Sequence, residues 1–233
     1  MKLRIEAFLS STGTKVVIAL TGLALYAFLF VHLAGNMMFF AGQDKFNAYS
    51  HYLISNPLIY PVEIGLALIF VLHLVRAVGN FHKNQRARPV PYHAQVPVRH
   101  TSRKSVASTT MIYTGVLILV FVGIHLFHFK FGPELHVNDA AGQPTDVKDL
   151  HGLMVTQFSN PLMVLFYVVS MLVVGTHLWH GSWSALQSLG AGNVASTPRL
   201  VSTARIVTLV LMAGFVLVPI LIFAFYRGAG GTP

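Results

Sequence analysis

Five apolar runs, each long enough to cross a hydrocarbon layer, divide this chain, and nearly all of its charge falls between them. Crossing about 30 Å of hydrocarbon as a helix takes roughly 20 residues. The runs lie near Thr14–Phe40, Pro57–Asn80, Val106–Phe131, Pro161–Ala185 and Ile206–Tyr226. Barrel strands would be about half as long and would alternate in polarity, a pattern the runs lack. Residues are 54% hydrophobic and only 10% charged, which leaves too little polar surface for a water-soluble protein. The expected fold class is therefore all-α: an integral membrane bundle of five transmembrane helices, forming a single domain over residues 1–233.

Basic residues set the orientation. Lys2, Arg4, Lys15, Arg76, Lys83, Arg86, Arg88, Arg99, Arg103, Lys104, Arg199 and Arg205 gather on one side of the crossings. Lys45, Lys130, Lys148 and Arg227 lie on the other, mixed with Asp44, Glu134, Asp139, Asp146 and Asp149. An excess of Lys and Arg marks the cytoplasmic side, so the N-terminus is expected in the cytoplasm and the C-terminus outside. The same asymmetry explains most of the net charge of +9, which therefore does not indicate nucleic acid. It also leaves a basic face for a cytoplasmic partner. The first run follows about a dozen amphipathic residues and carries no small-residue cleavage site, so it reads as a retained helix. With no cysteine, the chain forms no disulfide, thiolate haem ligand or iron–sulfur cluster of its own. No segment between the runs is large enough to hold a nucleotide or flavin.

An internal repeat singles out four histidines. Thr21-Gly22 stands ten residues before His32-Leu33, and Thr114-Gly115 stands ten residues before His125 when counted from Gly115. Ser55-Asn56-Pro57-Leu58 and Ser159-Asn160-Pro161-Leu162 each place a proline sixteen residues before a His-Leu pair, at His73 and His177. The matches describe a duplicated helical hairpin, residues 14–80 and 106–185. In each copy Ser or Asn is expected to cap the second helix, with Pro in its first turn. His128 and His180 have no counterpart in the other copy. They read as interfacial groups bonding water, a lipid head group or a propionate. His51, His136 and His151 on the external side, and His82, His93 and His100 on the cytoplasmic side, read as solvated.

Polar groups inside a bilayer are costly and tend to be functional. If the helices alternate in direction, His32 and His125 end near the external surface and His73 and His177 near the cytoplasmic one. Two facing imidazoles at one depth suit the axial ligation of a haem in an apolar slot, so the pairs read as clamps for two haems b. The other ring N–H of each needs an acceptor, and the carbonyls four residues earlier, at Phe28, Ile69, Phe121 and Val173, are the expected ones. Ten residues of helix rise about 15 Å, which puts Gly22 and Gly115 at the depth of the cytoplasmic pair. There they clear space either for a haem edge or for close helix approach. Arg76, with Lys15 and Arg205, is a candidate partner for haem propionates or an ordinary snorkelling cation. Asn36 sits on the face of His32 and suits a propionate or a quinone carbonyl. Glu63 is the only carboxylate inside a run. Its place near the external pair suits either proton exchange beside a quinone head group or an interfacial carboxylate reaching water.

The stretch from Thr21-Gly22 through His32-Leu33-Ala34-Gly35-Asn36, then Phe46-Asn47-Ala48-Tyr49-Ser50-His51 to Ser55-Asn56-Pro57-Leu58, Glu63 and His73, resembles the di-haem cytochrome b subunit of succinate:quinone oxidoreductases and fumarate reductases. The resemblance runs from about Lys15 to Tyr226 and rests on order, spacing and sidedness together. It implies a multi-pass anchor in a bacterial or archaeal cytoplasmic membrane, bound on its cytoplasmic face to an iron–sulfur subunit and a flavoprotein subunit. Those partners would interconvert succinate and fumarate, while this chain carries electrons through two b haems to or from a quinone, menaquinone being favoured. It implies His32, His73, His125 and His177 as axial ligands of haem iron and Glu63 as the carboxylate near quinone. Rival readings are a di-haem cytochrome b of a hydrogenase or formate dehydrogenase, a membrane di-iron oxygenase or desaturase, and a transporter. The oxygenase needs its histidines at one depth, whereas His125/His128 and His177/His180 fall on opposite sides. A transporter would carry midplane charges or broken helices.

Overall fold

The computed structural model describes residues 10–87, 106–138, 142–191, 193 and 196–228, with side chains described from Thr110 in the second of these stretches. Lys2, Arg4, Arg88, His93, Arg99, His100, Arg103, Lys104 and Asp139 lie outside the described residues. Helix α1 covers Ser11–Met37 and runs into a 3-10 turn, Met38–Ala41; α2 covers Gln43–Ser55, α3 Ile59–Arg86 and α4 Val106–Phe129. A hairpin of β1, His136–Asn138, and β2, Pro144–Lys148, precedes α5, Leu150–Phe158. Helices α6, Pro161–Ser188, and α7, Thr197–Tyr226, complete the chain. Among the described residues, α1, α3, α4, α6 and α7 are the five helices long and apolar enough to cross a membrane. The protein is an all-α membrane bundle, with the hairpin as its small β component.

Two helices outrun their apolar cores. Helix α3 continues past Asn80 to Arg86, its last turn carrying Lys83 and Arg86, which suit the negative end of the helix dipole. Helix α7 starts at Thr197, nine residues before Ile206, because Asn193 organises its first turn. The Asn193 Oδ1 accepts from the Ser196 amide at 2.8 Å, and its carbonyl accepts from the Thr197 amide at 3.0 Å. Arg199 and Arg205 lie in this polar extension, which hydropathy alone does not detect. In both copies of Ser-Asn-Pro-Leu the asparagine Oδ1 accepts two residues on, Asn56 from the Leu58 amide and Asn160 from the Leu162 amide, both at 2.9 Å, but Pro161 opens α6 as expected whereas Pro57 lies in the turn before α3 begins at Ile59. The asparagine, not the serine, is the cap, and each serine turns back to a carbonyl of the preceding helix, at His51 and Val155.

Large apolar side chains point outward along the spanning helices, among them Val31, Val71, Phe127, Leu172 and Val210. Helix α3 buries no residue at all. Such a surface is untenable in water but matches hydrocarbon, where the helix hydrogen bonds satisfy the backbone internally.

The chain packs as two compact units, and each spanning helix contributes residues to both. The first takes residues 1–27, 66–116 and 175–209. Its interior is rich in hydroxyls, including buried Thr14, Thr21, Ser182 and Thr208, with Tyr26 and Thr208 hydrogen-bonded at 3.0 Å. The second takes residues 28–65, 117–174 and 210–233. Its core is apolar and aromatic, joining Phe39, Phe46, Met154, Val155, Phe158, Tyr167, Val218 and Ile222.

Within the second unit α2, α5 and the β-hairpin form a tied cap. Asp149 is its hub: it caps α5 by accepting from the Gly152 amide at 2.8 Å and accepts from Asn47 at 2.7 Å and Gln43 at 3.1 Å. Asn47 returns its Oδ1 to the His151 amide at 3.0 Å. The His151 ring stacks flat on Phe39 at 4.1 Å, so this histidine is built into the cap instead of being solvated. Burial pushes its pKa down, and the Asp149 carboxylate only partly offsets the shift. An unfolded chain titrates near pH 6.5 at this residue. Above that value both states are neutral there, but on acidification the unfolded chain takes up the proton first and stability falls. Acidifying from about pH 7 to about pH 5 should therefore lower the melting midpoint of the detergent-solubilised protein, and His151→Phe, which keeps the ring stack, should lose less over the same range.

Candidate functional site

The four repeated histidines fall two to each unit, His32 with His125 and His73 with His177. In the second unit the rings of His32 on α1 and His125 on α4 stand 5.7 Å apart, nearly perpendicular at 87°. Aromatic rings line the pair: Phe28 stacks on His32 at 5.4 Å, Phe215 lies 5.8 Å from it, and Phe121 and Phe129 lie 5.7 and 5.4 Å from His125. Pro219 in α7 cannot supply the amide that would otherwise bond the Phe215 carbonyl, one turn away on the same helix. Gly214 lets α7 approach closely beside this pair, since a Cβ there would stand 2.6 Å from a methyl of Leu33.

Among the described residues, Nδ1 of His125 is buried with no hydrogen-bond partner, so the Phe121 carbonyl does not serve it as the sequence suggested. A buried polar atom left unmet is costly and marks a place for a ligand. A metal–imidazole bond is about 2 Å, so two rings sharing one metal stand with centroids about 6 Å apart. The observed separation is close to that. The apolar, aromatic surroundings and the two imidazoles fit a haem held from both sides.

In the first unit His73 on α3 and His177 on α6 lie within electrostatic reach of each other. Each takes its hydrogen bond from the preceding helix of its own hairpin. His73 Nδ1 meets Thr21 Oγ1 at 3.0 Å, and His177 Nδ1 meets Thr114 Oγ1 at 3.0 Å. The expected carbonyls at Ile69 and Val173 are replaced by threonines, because the neighbouring helix comes close enough to offer a side chain. Gly22 makes the first approach possible, while Gly115 meets its ring at ordinary contact distance. A Cβ on Gly22 would meet His73 Cε1 at 3.1 Å, and one on Gly115 would meet His177 Cε1 at 3.7 Å. The cleared space is filled by the imidazole itself, so Thr-Gly forms a seat for a histidine. The sequence offered Thr21 and Thr114 only as markers of the repeat; their recurrence beside glycine at one depth with the histidines was the available signal.

Asn36 donates to the His32 carbonyl at 2.8 Å and so closes a turn of its own helix. Arg76 is partly buried one turn beyond His73, and Lys15 is exposed. Arg205 lies over Trp179, 5.2 Å from the ring centre. Glu63 forms an ion pair with Lys130, their side chains 40% and 43% exposed, as an interfacial carboxylate would be. His128 finds a protein partner in the Tyr167 hydroxyl at 3.2 Å. Among the described residues no three histidines or carboxylates converge on one point. The side chains thus provide two-histidine sites, not the clustered set a di-iron centre needs.

A membrane bundle with paired inward histidines defines a class of helical membrane proteins suited to hold a metal-centred cofactor. The chain is 26% identical over 210 residues to the succinate dehydrogenase cytochrome b558 subunit of Bacillus subtilis (strain 168), covering 85% of this chain and 88% of that protein. This likeness runs through nearly the full length of both and supports the family that the histidine pattern resembles, the cytochrome b membrane anchors of succinate:quinone oxidoreductases. No family model and no solved structure matches the chain.

The two glycine seats differ in tightness. Alanine in a helix is favoured over glycine by about 1 kcal/mol, whereas overpacking costs about 1–3 kcal/mol. Gly115→Ala, meeting His177 at ordinary contact distance, should leave the melting midpoint unchanged or raised. Gly22→Ala should lower it.

Proposed function

We propose that this chain is the membrane-anchor cytochrome b of a succinate dehydrogenase or fumarate reductase complex. It would hold two b haems and carry electrons between an iron–sulfur subunit on the cytoplasmic face and quinone in the membrane. The observation that carries the reading is the pairing of four repeated histidines, two in each unit. His32 and His125 would hold one haem and His73 and His177 the other. A bound haem supplies a reversible one-electron iron couple. The protein's part is to aim the four imidazoles, exclude water with the rings of Phe28, Phe121, Phe129 and Phe215, and keep the slots apolar, all of which tune an iron couple.

Orientation enters the same reading. With Lys15, Lys83, Arg86, Arg199 and Arg205 on the cytoplasmic side, His73 and His177 face the iron–sulfur partner, and His32, His125 and Glu63 lie toward the outside. The flavoprotein, where succinate and fumarate react, binds beyond the iron–sulfur subunit. At the outer side Glu63 would exchange a proton with the quinone head group. Because Lys130 pairs with it, that exchange requires the carboxylate to release or neutralise its partner. Arg76 is placed to meet a propionate of the inner haem.

Two measurements test the reading. A pyridine haemochrome assay of the purified complex should give two haems b per chain, and replacement of His32 or His125 should remove a different haem from replacement of His73 or His177. Glu63→Gln should impair quinone turnover with both haems retained. A complex without haem, or one whose co-purifying subunits belong to a hydrogenase or formate dehydrogenase, would overturn the assignment.

A further inference from the structure

We propose that Thr21 and Thr114 are positioning residues that fix the tautomer of His73 and His177 and tune the haem that this pair holds, and this rests on the reading of that pair as haem ligands. Each threonine hydroxyl has one hydrogen to give. At Thr21 it goes to the Val17 carbonyl at 2.7 Å, with the Ile18 carbonyl farther at 3.2 Å. The 3.0 Å contact with His73 is therefore one in which the ring Nδ1–H donates and the hydroxyl lone pair accepts. Thr114 repeats the arrangement, with its hydroxyl 3.1 Å from the Met111 carbonyl and 3.3 Å from that of Thr110. Both histidines are thus held with hydrogen on Nδ1 and the lone pair on Nε2, the form a metal accepts.

A hydrogen bond to the far nitrogen makes an imidazole a stronger donor to its metal. Stronger donation favours the oxidised iron and lowers the reduction potential of the haem. In the other pair His125 has no such acceptor among the described residues. Gly22 belongs to the same device, since a side chain there would crowd the His73 ring.

The test uses the assembled complex carrying Thr21→Val, Thr114→Val, both together, and the serine counterparts. Haem b per chain and the midpoint potential of each haem are read by redox titration. Valine keeps the shape of threonine but removes the hydroxyl. The expected result is an upward shift in the potential of one haem, larger in the double variant than in either single one, with the other haem unmoved and with Thr21→Ser and Thr114→Ser restoring the wild-type value. Selective loss of that haem in the valine variants but not in the serine ones also supports the proposal. If a valine variant does not accumulate, Thr21→Ala or Thr114→Ala is read in its place. Two haems with unchanged potentials in the double variant would overturn the positioning role and leave the haem reading standing, as would equal shifts with serine and valine. Absence of haem from the wild-type complex would overturn both.

Discussion

Inside hydrocarbon no water is at hand to complete a hydrogen bond, and the rest of this structure follows from that shortage. It forces the backbone into uninterrupted helices and turns large apolar side chains outward along the spans. It also turns every inward polar side chain into a question of partners. The first unit answers with hydroxyls from the protein, as Thr208 meets Tyr26 and Thr21 meets His73. The second surrounds His32 and His125 with aromatic rings and leaves a buried ring nitrogen unmet. Similar histidine pairs are therefore set in unlike environments by the same chain.

Where water returns, the logic reverses. The cap of α2, the hairpin and α5 is joined by a carboxylate and two amides centred on Asp149, groups that would be expensive within the spans. Beneath this polar layer Phe39 and Phe46 pack with Val218 and Ile222 of α7. The cap thereby ties the end of α1 to the end of α7 through side chains that the hydrocarbon-crossing patterns do not reveal.

The five spans were legible because length and apolarity follow directly from bilayer thickness, and the four histidines because the repeat isolates them. The polar start of α7 was not, since Asn193 caps a helix whose first turns carry arginines. The threonine seats escaped because a sequence displays neighbours along one helix, and the carbonyl four residues back was the nearest acceptor visible. The interhelical approach that substitutes Thr21 for Ile69 depends on Gly22, whose missing side chain matters only once a second helix is present. The partner of Glu63 was not legible because Lys130, far along the chain, carries no local sign that it reaches the carboxylate.

Each threonine–histidine contact is internal to one hairpin, Thr21 with His73 and Thr114 with His177, whereas each histidine pair takes one member from either hairpin. A hairpin is thus a half-site with its imidazole already aimed, and the chain resembles two subunits of a homodimer fused end to end. Assembly then need not create ligand geometry when the halves meet. Insertion of a cofactor would join rings whose directions were decided earlier, during the pairing of α1 with α3 and of α4 with α6.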